Sequence, residues 1–148
     1  MKTVSEILRI KQKPHNIISP DAKVIDALIM MNSVNLSYLV VMENDRFVGI
    51  FSERDYTRNV ILKGRTSDTS TVKEVMTVNF PSVSPSDTVE TCMKLLDAHK
   101  TRYLPVFNGN HLEGVVTLND VLRQAIWSKE DVFDELANKL ADLGDKIF

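Results

Sequence analysis

The sequence predicts an α+β fold built from two copies of one small unit, because the chain repeats itself at a spacing of 65 residues, as between Pro20 and Pro85. Residues 19–55 lie over residues 84–120 without a gap. Each copy combines helically spaced apolar residues with two short apolar segments, which indicates mixed helix and strand. A unit this short rarely buries an adequate core alone, so we expect the two copies to pack together. The identical pairs are Ser19/Ser84, Pro20/Pro85, Val24/Val89, Tyr38/Tyr103, Leu39/Leu104, Val41/Val106, Gly49/Gly114 and Asp55/Asp120.

The first helix of each copy follows a Ser-Pro turn and is expected to bury one apolar stripe. Aspartate or serine at positions 21 and 86–87 is expected to cap it. The only cysteine, Cys92, lies opposite Ala27 and is interpreted as a buried core residue rather than a reactive thiol. The stripes are Val24, Ala27, Leu28 and Met31 in the first copy and Val89, Cys92, Met93 and Leu96 in the second.

Two strands and a second helix complete each copy. The turn sequences END and NGN separate the strands, so each pair should form a hairpin. With a connector strand before the first helix, the order is β-α-β-β-α, twice. The strands are predicted over Tyr38–Met42, Phe47–Phe51, Tyr103–Phe107 and Leu112–Thr117, and the inner faces of the second helices over Tyr56, Val60 and Ile61 and over Val121, Leu122 and Ile126.

Short connectors precede both copies and are themselves related. TVSEIL, from Thr3, is echoed by TVKEVM, from Thr71, at a spacing of 68 residues, so the first connector is three residues longer. The polar stretch KGRTSDTSTVKE indicates a surface linker. We therefore predict the first repeat with its connector over 1–68, the second repeat over 69–127 and an amphipathic helix over 128–148.

The C-terminal helix carries an apolar stripe that something must cover. The stripe consists of Val132, Leu136, Leu140 and Leu143. Packing on the chain's own core is the first expectation, and a second subunit or a partner protein is the alternative.

Composition excludes several classes of function. The 18 basic and 20 acidic residues are well mixed and give a net charge of −2, which disfavours binding to nucleic acid or anionic membranes. The chain has no apolar run of membrane-spanning length and no signal-peptide pattern, so a cytoplasmic protein is expected. Neither a catalytic triad, a phosphate-gripping loop nor metal-ligand spacing of His15, His99 and His111 is present. An enzyme, a metal site and a catalytic cofactor are therefore not expected.

One motif could carry chemistry. Each hairpin ends in glycine, two apolar residues, a hydroxyl residue and, three positions later, aspartate: GIFSERD and GVVTLND. A hydroxyl and an acid at this spacing can simply cap a helix. The same carboxylate could instead accept hydrogen bonds from ribose hydroxyls, with Arg54 and Arg102 offering guanidinium groups to phosphate. Gly49 and Gly114 either permit a close backbone approach or serve strand packing.

The doubled pattern resembles a tandem pair of CBS domains, the Bateman module, on the motifs KEVMT, RYLPVF and GVVTLND. The resemblance extends from TVSEIL to about Trp127. It implies two repeats packed with pseudo-twofold symmetry, a homodimer, and a regulatory rather than catalytic role. It also implies an adenosine-containing ligand, among AMP, ADP, ATP, NAD and S-adenosylmethionine.

The resemblance further implies two ligand clefts between the repeats. It assigns Ser52, Arg54, Asp55, Thr77, Asn79, Pro81 and Arg102 to one cleft, and Thr117, Asp120, Lys13, His15, Asn16 and Ile17 to the other. The second cleft departs from the first, because Ser37 and Asn119 stand where the first has Arg102 and Arg54. It is therefore expected to take a less charged ligand, to bind more weakly or to be empty.

Two functions follow as hypotheses. The first is a regulatory module that senses an adenosine nucleotide and modulates an unidentified protein partner. The second is a constitutive dimeric scaffold, in which the Ser/Thr and Asp residues only cap helices and the C-terminal stripe recruits the partner.

Overall fold

The computed structural model describes residues 2–11, 16–127 and 136–143. Helices and strands are mixed along the chain, and the predicted α+β class is confirmed. The elements are α1 (Val4–Lys11), β1 (Ile17–Ile18), α2 (Val24–Val34), β2 (Tyr38–Glu43), β3 (Arg46–Ser52), α3 (Glu53–Asp55), a π-helical turn (Tyr56–Ile61), α4 (Val72–Val75), α5 (Val89–His99), β4 (Tyr103–Asn108), β5 (His111–Thr117), α6 (Leu118–Trp127) and a helical segment over 136–143, here α7.

The chain forms two compact units. The first-repeat unit comprises Pro14–Asn79, and the second-repeat unit comprises Met1–Lys13 with Phe80–Phe148. Helix α1 therefore belongs with the second repeat, since the backbone N–H of Val4 donates to the carbonyl of Asp87 at 2.8 Å. The chain boundaries predicted above, which assign residues 1–68 to the first repeat, stay a prediction.

The connector helices α1 and α4 begin in the same way. In both, a threonine precedes the helix and a glutamate three residues later accepts a hydrogen bond from the threonine backbone N–H, at 3.2 Å in Thr3–Glu6 and 3.2 Å in Thr71–Glu74. Helix α4 joins the first-repeat unit, because Val72 N–H donates to the Ala22 carbonyl at 2.8 Å. Each connector helix is thus bonded to the segment that starts the first long helix of its unit.

The first-repeat unit contains a three-stranded sheet in the order β1-β2-β3. Strand β1 is parallel to β2, and β2 pairs with β3 as the predicted hairpin, with Val40 opposite Ile50. The turn places Asn44 and Asp45 at φ values of 51° and 62°, the left-handed region that asparagine and aspartate tolerate best among residues with a Cβ. The core of this unit is formed by Ile18, Val24, Ala27, Met31, Leu39, Val41, Phe51, Val60, Val72 and Val75.

The second-repeat unit contains the hairpin of β4 and β5. The connector strand of this copy is short: within the described residues, Val83 forms a single parallel bridge to Val106. The core is formed by Val4, Ile7, Val83, Val89, Cys92, Met93, Leu96, Leu104, Val106, Val116, Leu118, Val121, Ala125, Leu140 and Leu143.

Several local predictions need correction. Lys23 and Thr88, not residues 21 and 86–87, occupy the N-cap positions of α2 and α5, and only the Thr88 side chain accepts a capping hydrogen bond, from Thr91 N–H. The predicted inner residues Ile61 and Ile126 are exposed, because each lies one position beyond the buried residue of its turn. The linker predicted over residues 63–74 is mostly exposed, as expected, but Ser70 and Val72 within it are buried.

Helix α7 packs on the core of the second-repeat unit. Leu140 and Leu143 are buried in that core, and Leu136 lies against it. Lys139 adds an ion pair of 2.8 Å to Asp97 on α5. The expected packing on the chain's own core is thus confirmed for this part of the stripe, whereas Val132 lies outside the described residues.

Candidate functional site

Each repeat has a helix start that contains a hydroxyl residue and an aspartate, here called an acidic helix start. The first one, Ser52 to Asp55, lies where β3 ends and α3 begins. Ser52 is the last residue of the strand, and its hydroxyl accepts from the Asp55 backbone N–H at 3.3 Å. The Asp55 carboxylate in turn accepts two hydrogen bonds at Oδ2, from Ser52 N–H at 2.9 Å and from the Ser52 hydroxyl at 3.1 Å. The two residues form a capping box, so the capping interpretation of this motif is correct as geometry.

A second segment reaches the same carboxylate. After α4, Thr77 pairs with Ile50 through two backbone hydrogen bonds of 3.0 Å each. This pairing brings the Thr77 hydroxyl to Asp55, where it donates to Oδ1 at 2.6 Å. A Cβ on Gly49 would lie 2.7 Å from the Thr77 carbonyl oxygen, so glycine at this position permits the close approach of the two backbones.

Burial governs the electrostatics of this site. Asp55 is 5% exposed, and burial raises the pKa of its carboxyl above the usual value. Hydrogen bonds from Thr77 and Ser52, and then the charge of Arg54, lower the pKa without cancelling that rise. Of about four acceptor positions on a carboxylate, Ser52 uses two and Thr77 uses one. About one remains for another donor.

The second acidic helix start repeats the cap but not its surroundings. Asp120 Oδ2 accepts from Thr117 N–H at 2.9 Å, and the Thr117 hydroxyl accepts from Asp120 N–H at 3.2 Å. In place of a threonine hydroxyl, the Lys11 ammonium donates to Asp120 Oδ2 at 3.0 Å. Arg123 Nη1 lies 3.6 Å from Oδ1, so both carboxylate oxygens face a cation.

Lys11 was not among the site residues predicted from the sequence. At the connector spacing of 68 residues, Lys11 corresponds to Asn79. Helix α1 has 8 residues and α4 has 4, so the longer first connector continues as helix and carries the lysine to Asp120. The signal was the extra length of this connector together with the unbroken helical spacing of VSEILRIK.

The remaining predicted residues are distributed between the units. The structure brings Ser52, Asp55 and Thr77 together, and Thr117 with Asp120. In the first-repeat unit, Arg54 and Asn16 are half-buried. Asn79 is exposed there, and Ile17 is 48% exposed. Pro81 and Arg102 belong to the second-repeat unit, and Lys13 and His15 lie outside the described residues. The two predicted clefts that combine residues of both repeats stay a prediction.

Arg102 occupies a defined position before β4. Its carbonyl accepts from Leu118 N–H at 2.8 Å, as the Ser37 carbonyl accepts from Glu53 N–H at 3.0 Å in the first repeat. Its guanidinium carbon lies 5.9 Å from the centre of the Tyr103 ring. The carbonyl of the residue before the hairpin, Ser37 or Arg102, thus accepts a hydrogen bond from a helix start in each repeat. Only the second repeat carries a guanidinium group at this position.

The described residues offer neither a metal site nor a membrane span. No group of three or more His, Cys, Asp or Glu side chains there is arranged to hold a metal ion. None of the helices among those residues combines the length and the apolar character needed to cross a membrane.

Comparison with known proteins identifies relatives across most of the chain. CBS domain-containing protein CBSX3, mitochondrial, of Arabidopsis thaliana is 29% identical over 143 residues, covering 90% of this chain and 69% of that protein. The crystal structure of the CBS domain NE2398 matches with a TM-score of 0.80 and 34% identity, covering 84% of this chain and 98% of that one. The crystal structure of CBSX2 in complex with AMP matches with a TM-score of 0.70 and 26% identity, covering 88% and 100%.

The family assignment rests on two separate segments. The family model described as CBS domain matches residues 4–61 and again residues 72–126. These segments contain Ser52 with Asp55 and Thr117 with Asp120, and the resemblance stated from the sequence motifs is confirmed. This chain belongs to the CBS-domain family and carries two CBS domains in tandem.

Proposed function

We propose that this chain is a regulatory module that binds an adenosine nucleotide at Asp55 and thereby modulates a protein partner. The observation that carries the proposal is the buried Asp55 carboxylate, which two separate segments hold through Ser52 and Thr77. The AMP complex of CBSX2 supports the choice of ligand class. Within that class, AMP is the first candidate, and ADP, ATP, NAD and S-adenosylmethionine are the others.

The chemistry of the site suits a ribose. Adjacent ribose hydroxyls are hydrogen-bond donors, and Asp55 has about one acceptor position left. The hydroxyl of Thr77 or of Ser52 can rotate about its C–O bond to release a second position, because neither hydroxyl hydrogen is fixed by the backbone. Arg54 is the second residue of α3, two positions after Ser52, and with Arg102 it is the proposed source of guanidinium groups for phosphate.

The test is calorimetric titration with adenosine, AMP, ATP, NAD and S-adenosylmethionine. Asp55→Asn removes a charged acceptor, so binding should weaken by about 1.5–3 kcal/mol per charged hydrogen bond lost. Asp68→Asn is the matched control, since Asp68 is an exposed carboxylate of the same unit. Absence of binding by the wild type at millimolar concentration would reject the proposal.

A second substitution tests the phosphate contact. Arg102→Ala should weaken the binding of AMP and ATP much more than that of adenosine, because only the phosphorylated ligands use the guanidinium group. Equal weakening of all three ligands would mean that Arg102 supports the fold of the site rather than the phosphate.

Regulation requires more than binding. A ligand shifts an equilibrium between two arrangements of a protein only by the difference in its affinity for them. We propose that the chain forms a homodimer and that the nucleotide favours one of its arrangements, which changes the affinity for the partner. Titration of the partner, once identified, with and without nucleotide would measure this coupling.

The scaffold function is the second candidate, and one observation favours it. Ser52 of the capping box and Thr77 together use about three of the four acceptor positions of Asp55 without any ligand. A constitutive scaffold would show no change in melting temperature with any compound of the panel. A ligand that binds only the folded state must raise that temperature.

A further inference from the structure

The two acidic helix starts differ in the donor that reaches the aspartate from the connector. In the first-repeat unit, a neutral hydroxyl of Thr77 contacts Asp55. In the second-repeat unit, the Lys11 ammonium contacts Asp120 at 3.0 Å and also donates to the Val115 carbonyl at 2.9 Å. The connector therefore supplies a neutral hydroxyl to Asp55 Oδ1 in one unit and a cation to Asp120 Oδ2 in the other.

We propose that Lys11 is a specificity-determining residue that closes the Asp120 position to ribose, so that each chain binds one adenosine nucleotide, at Asp55. The proposal rests on the function proposed above. It deepens that function by assigning the ligand to one of two repeated positions and by naming the residue that excludes it from the other.

Lys11 is held firmly at this position. The start of α1 is fixed by the Thr3–Glu6 capping box and by the hydrogen bond from Val4 N–H to the Asp87 carbonyl. The helix then runs without interruption to Lys11. Because the side chain is 22% exposed and Asp120 only 8%, this ion pair is largely shielded from water. A shielded, charge-assisted pair is harder to replace than an exposed one.

A ribose would have to displace a cation by a neutral donor. Its hydroxyl would replace the ammonium at Asp120 Oδ2, and both the ammonium and the Val115 carbonyl would lose a partner in a site with little access to water. Breaking a shielded ion pair and removing the ammonium from the Val115 carbonyl is unfavourable. At Asp55, by contrast, Thr77 only has to turn its hydroxyl.

The opposite role for Lys11 is contact with a ligand phosphate, and the two roles predict opposite effects of removing the charge. If Lys11 blocks the position, removal of its charge should allow AMP to bind there. If Lys11 contacts phosphate, removal of its charge should weaken AMP binding.

The test uses calorimetric titration with AMP in an Asp55→Asn background, which disables the first position. We expect Asp55→Asn alone to bind AMP more than about tenfold more weakly than the wild type. The Asp55→Asn/Lys11→Met chain should instead bind one AMP per chain with an affinity within about tenfold of the wild type. Methionine is chosen because it keeps an unbranched side chain without the charge. Addition of Asp120→Asn should abolish the gained binding.

Lys11→Arg in the same background is the matched control. It keeps a cation beside Asp120 and should bind AMP no better than Asp55→Asn alone. Circular dichroism checks that each variant is folded, and Lys11→Gln, which retains a donor for the Val115 carbonyl, replaces Lys11→Met if that variant is not.

Four outcomes would overturn the inference. They are two AMP molecules per wild-type chain, no gain from Lys11→Met, loss of AMP binding when Lys11→Met is made in the otherwise wild-type chain, and binding that survives Asp55→Asn but not Asp120→Asn. If the wild type binds no AMP and Lys11→Met binds one, the proposal for Asp55 fails while the inference for Lys11 holds. If the wild type binds one AMP through Asp55 and Lys11→Met still binds one, the reverse is true.

Discussion

Asp55 is a buried carboxyl group whose protonation should affect both stability and binding. Burial raises its pKa above the usual value of 3.8, so the folded state favours the protonated form. That contribution to stability is complete below the usual pKa and is lost as the pH rises through the raised one. Ribose binding has the opposite requirement, because protonation of the carboxyl removes the one acceptor position that Ser52 and Thr77 leave open.

This leads to a prediction about pH. The free energy of unfolding of the wild type, relative to Asp55→Asn, should decrease as the pH rises from below 3.8 through the raised pKa. Affinity for adenosine should increase over the same range, and adenosine is preferred because it carries no titrating phosphate. Urea unfolding and calorimetry over a pH series measure the two effects. Parallel stability profiles of the two chains would contradict the raised pKa.

Gly49 allows the close backbone contact that holds Thr77 beside Asp55. A Cβ at this position would meet the Thr77 carbonyl at 2.7 Å and the Met76 sulfur at 3.0 Å. Because the carbonyl belongs to the backbone, Gly49→Ala should push Thr77 away from Asp55 and destabilise the fold by about 1–3 kcal/mol. Chemical unfolding and adenosine titration should both respond.

Gly64→Ala is the control for this change. Gly64 has a φ of 72°, and no other atom lies within 4 Å of the place that a Cβ would take. Its substitution should destabilise the fold by about 1–2 kcal/mol through backbone strain and leave adenosine affinity unchanged. A Gly49→Ala chain with wild-type affinity would show that the contact with Thr77 is unimportant for the site.

Among the elements, α7 is the one whose role can be separated from the repeats. Leu140 is 2% exposed in the core of the second-repeat unit, so Leu140→Ala should lower the free energy of unfolding by about 2–5 kcal/mol. The neighbouring Lys139→Ala removes an ion pair whose lysine is 62% exposed, and should change it by at most about 1 kcal/mol. Thermal and urea unfolding measure both. Equal effects would mean that α7 is not packed as described.

Sequence periodicity predicted the long helices and both hairpins because each depends on neighbouring residues. The stripes of α2 and α5 are buried or half-buried as expected, and Asn44 and Asp45 form the first turn. Periodicity could not predict the π-helical turn after Asp55. There, Leu62 N–H donates to the Thr57 carbonyl at 3.0 Å, and Asn59 reaches the Val75 carbonyl at 2.9 Å. That turn coincides with a contact to another element, which a local pattern does not contain.

The duplication of the chain predicted two related aspartates, Asp55 and Asp120. It did not predict that a hydroxyl contacts the first and an ammonium the second. The cap of Ser52 and Asp55 follows from a spacing of three residues and was visible in the sequence. The contact of Lys11 with Asp120 joins residues 109 positions apart. It depends on α1 being bonded to the second-repeat unit, which follows from tertiary packing and not from the order of the chain.

The repeat also predicts a dimer, and the two copies expose the same position for it. Ile61 is 53% exposed and Ile126 is 69% exposed, and they are 65 residues apart, the repeat spacing. An exposed apolar residue at the same place in both units suits a twofold, self-complementary interface. Light scattering at micromolar concentration should therefore give twice the chain mass of 16.8 kDa.

Substitution at both positions tests where the interface lies. Ile61→Glu/Ile126→Glu places two like charges per chain in the proposed contact and should give monomers, since unpaired charges resist burial. Ile29→Glu is the matched control, because Ile29 is 60% exposed on the separate helix α2 and should leave the dimer intact. A monomeric wild type would reject the dimer and any switching that depends on it. A dimer that survives the double substitution but not Ile29→Glu would move the interface to α2.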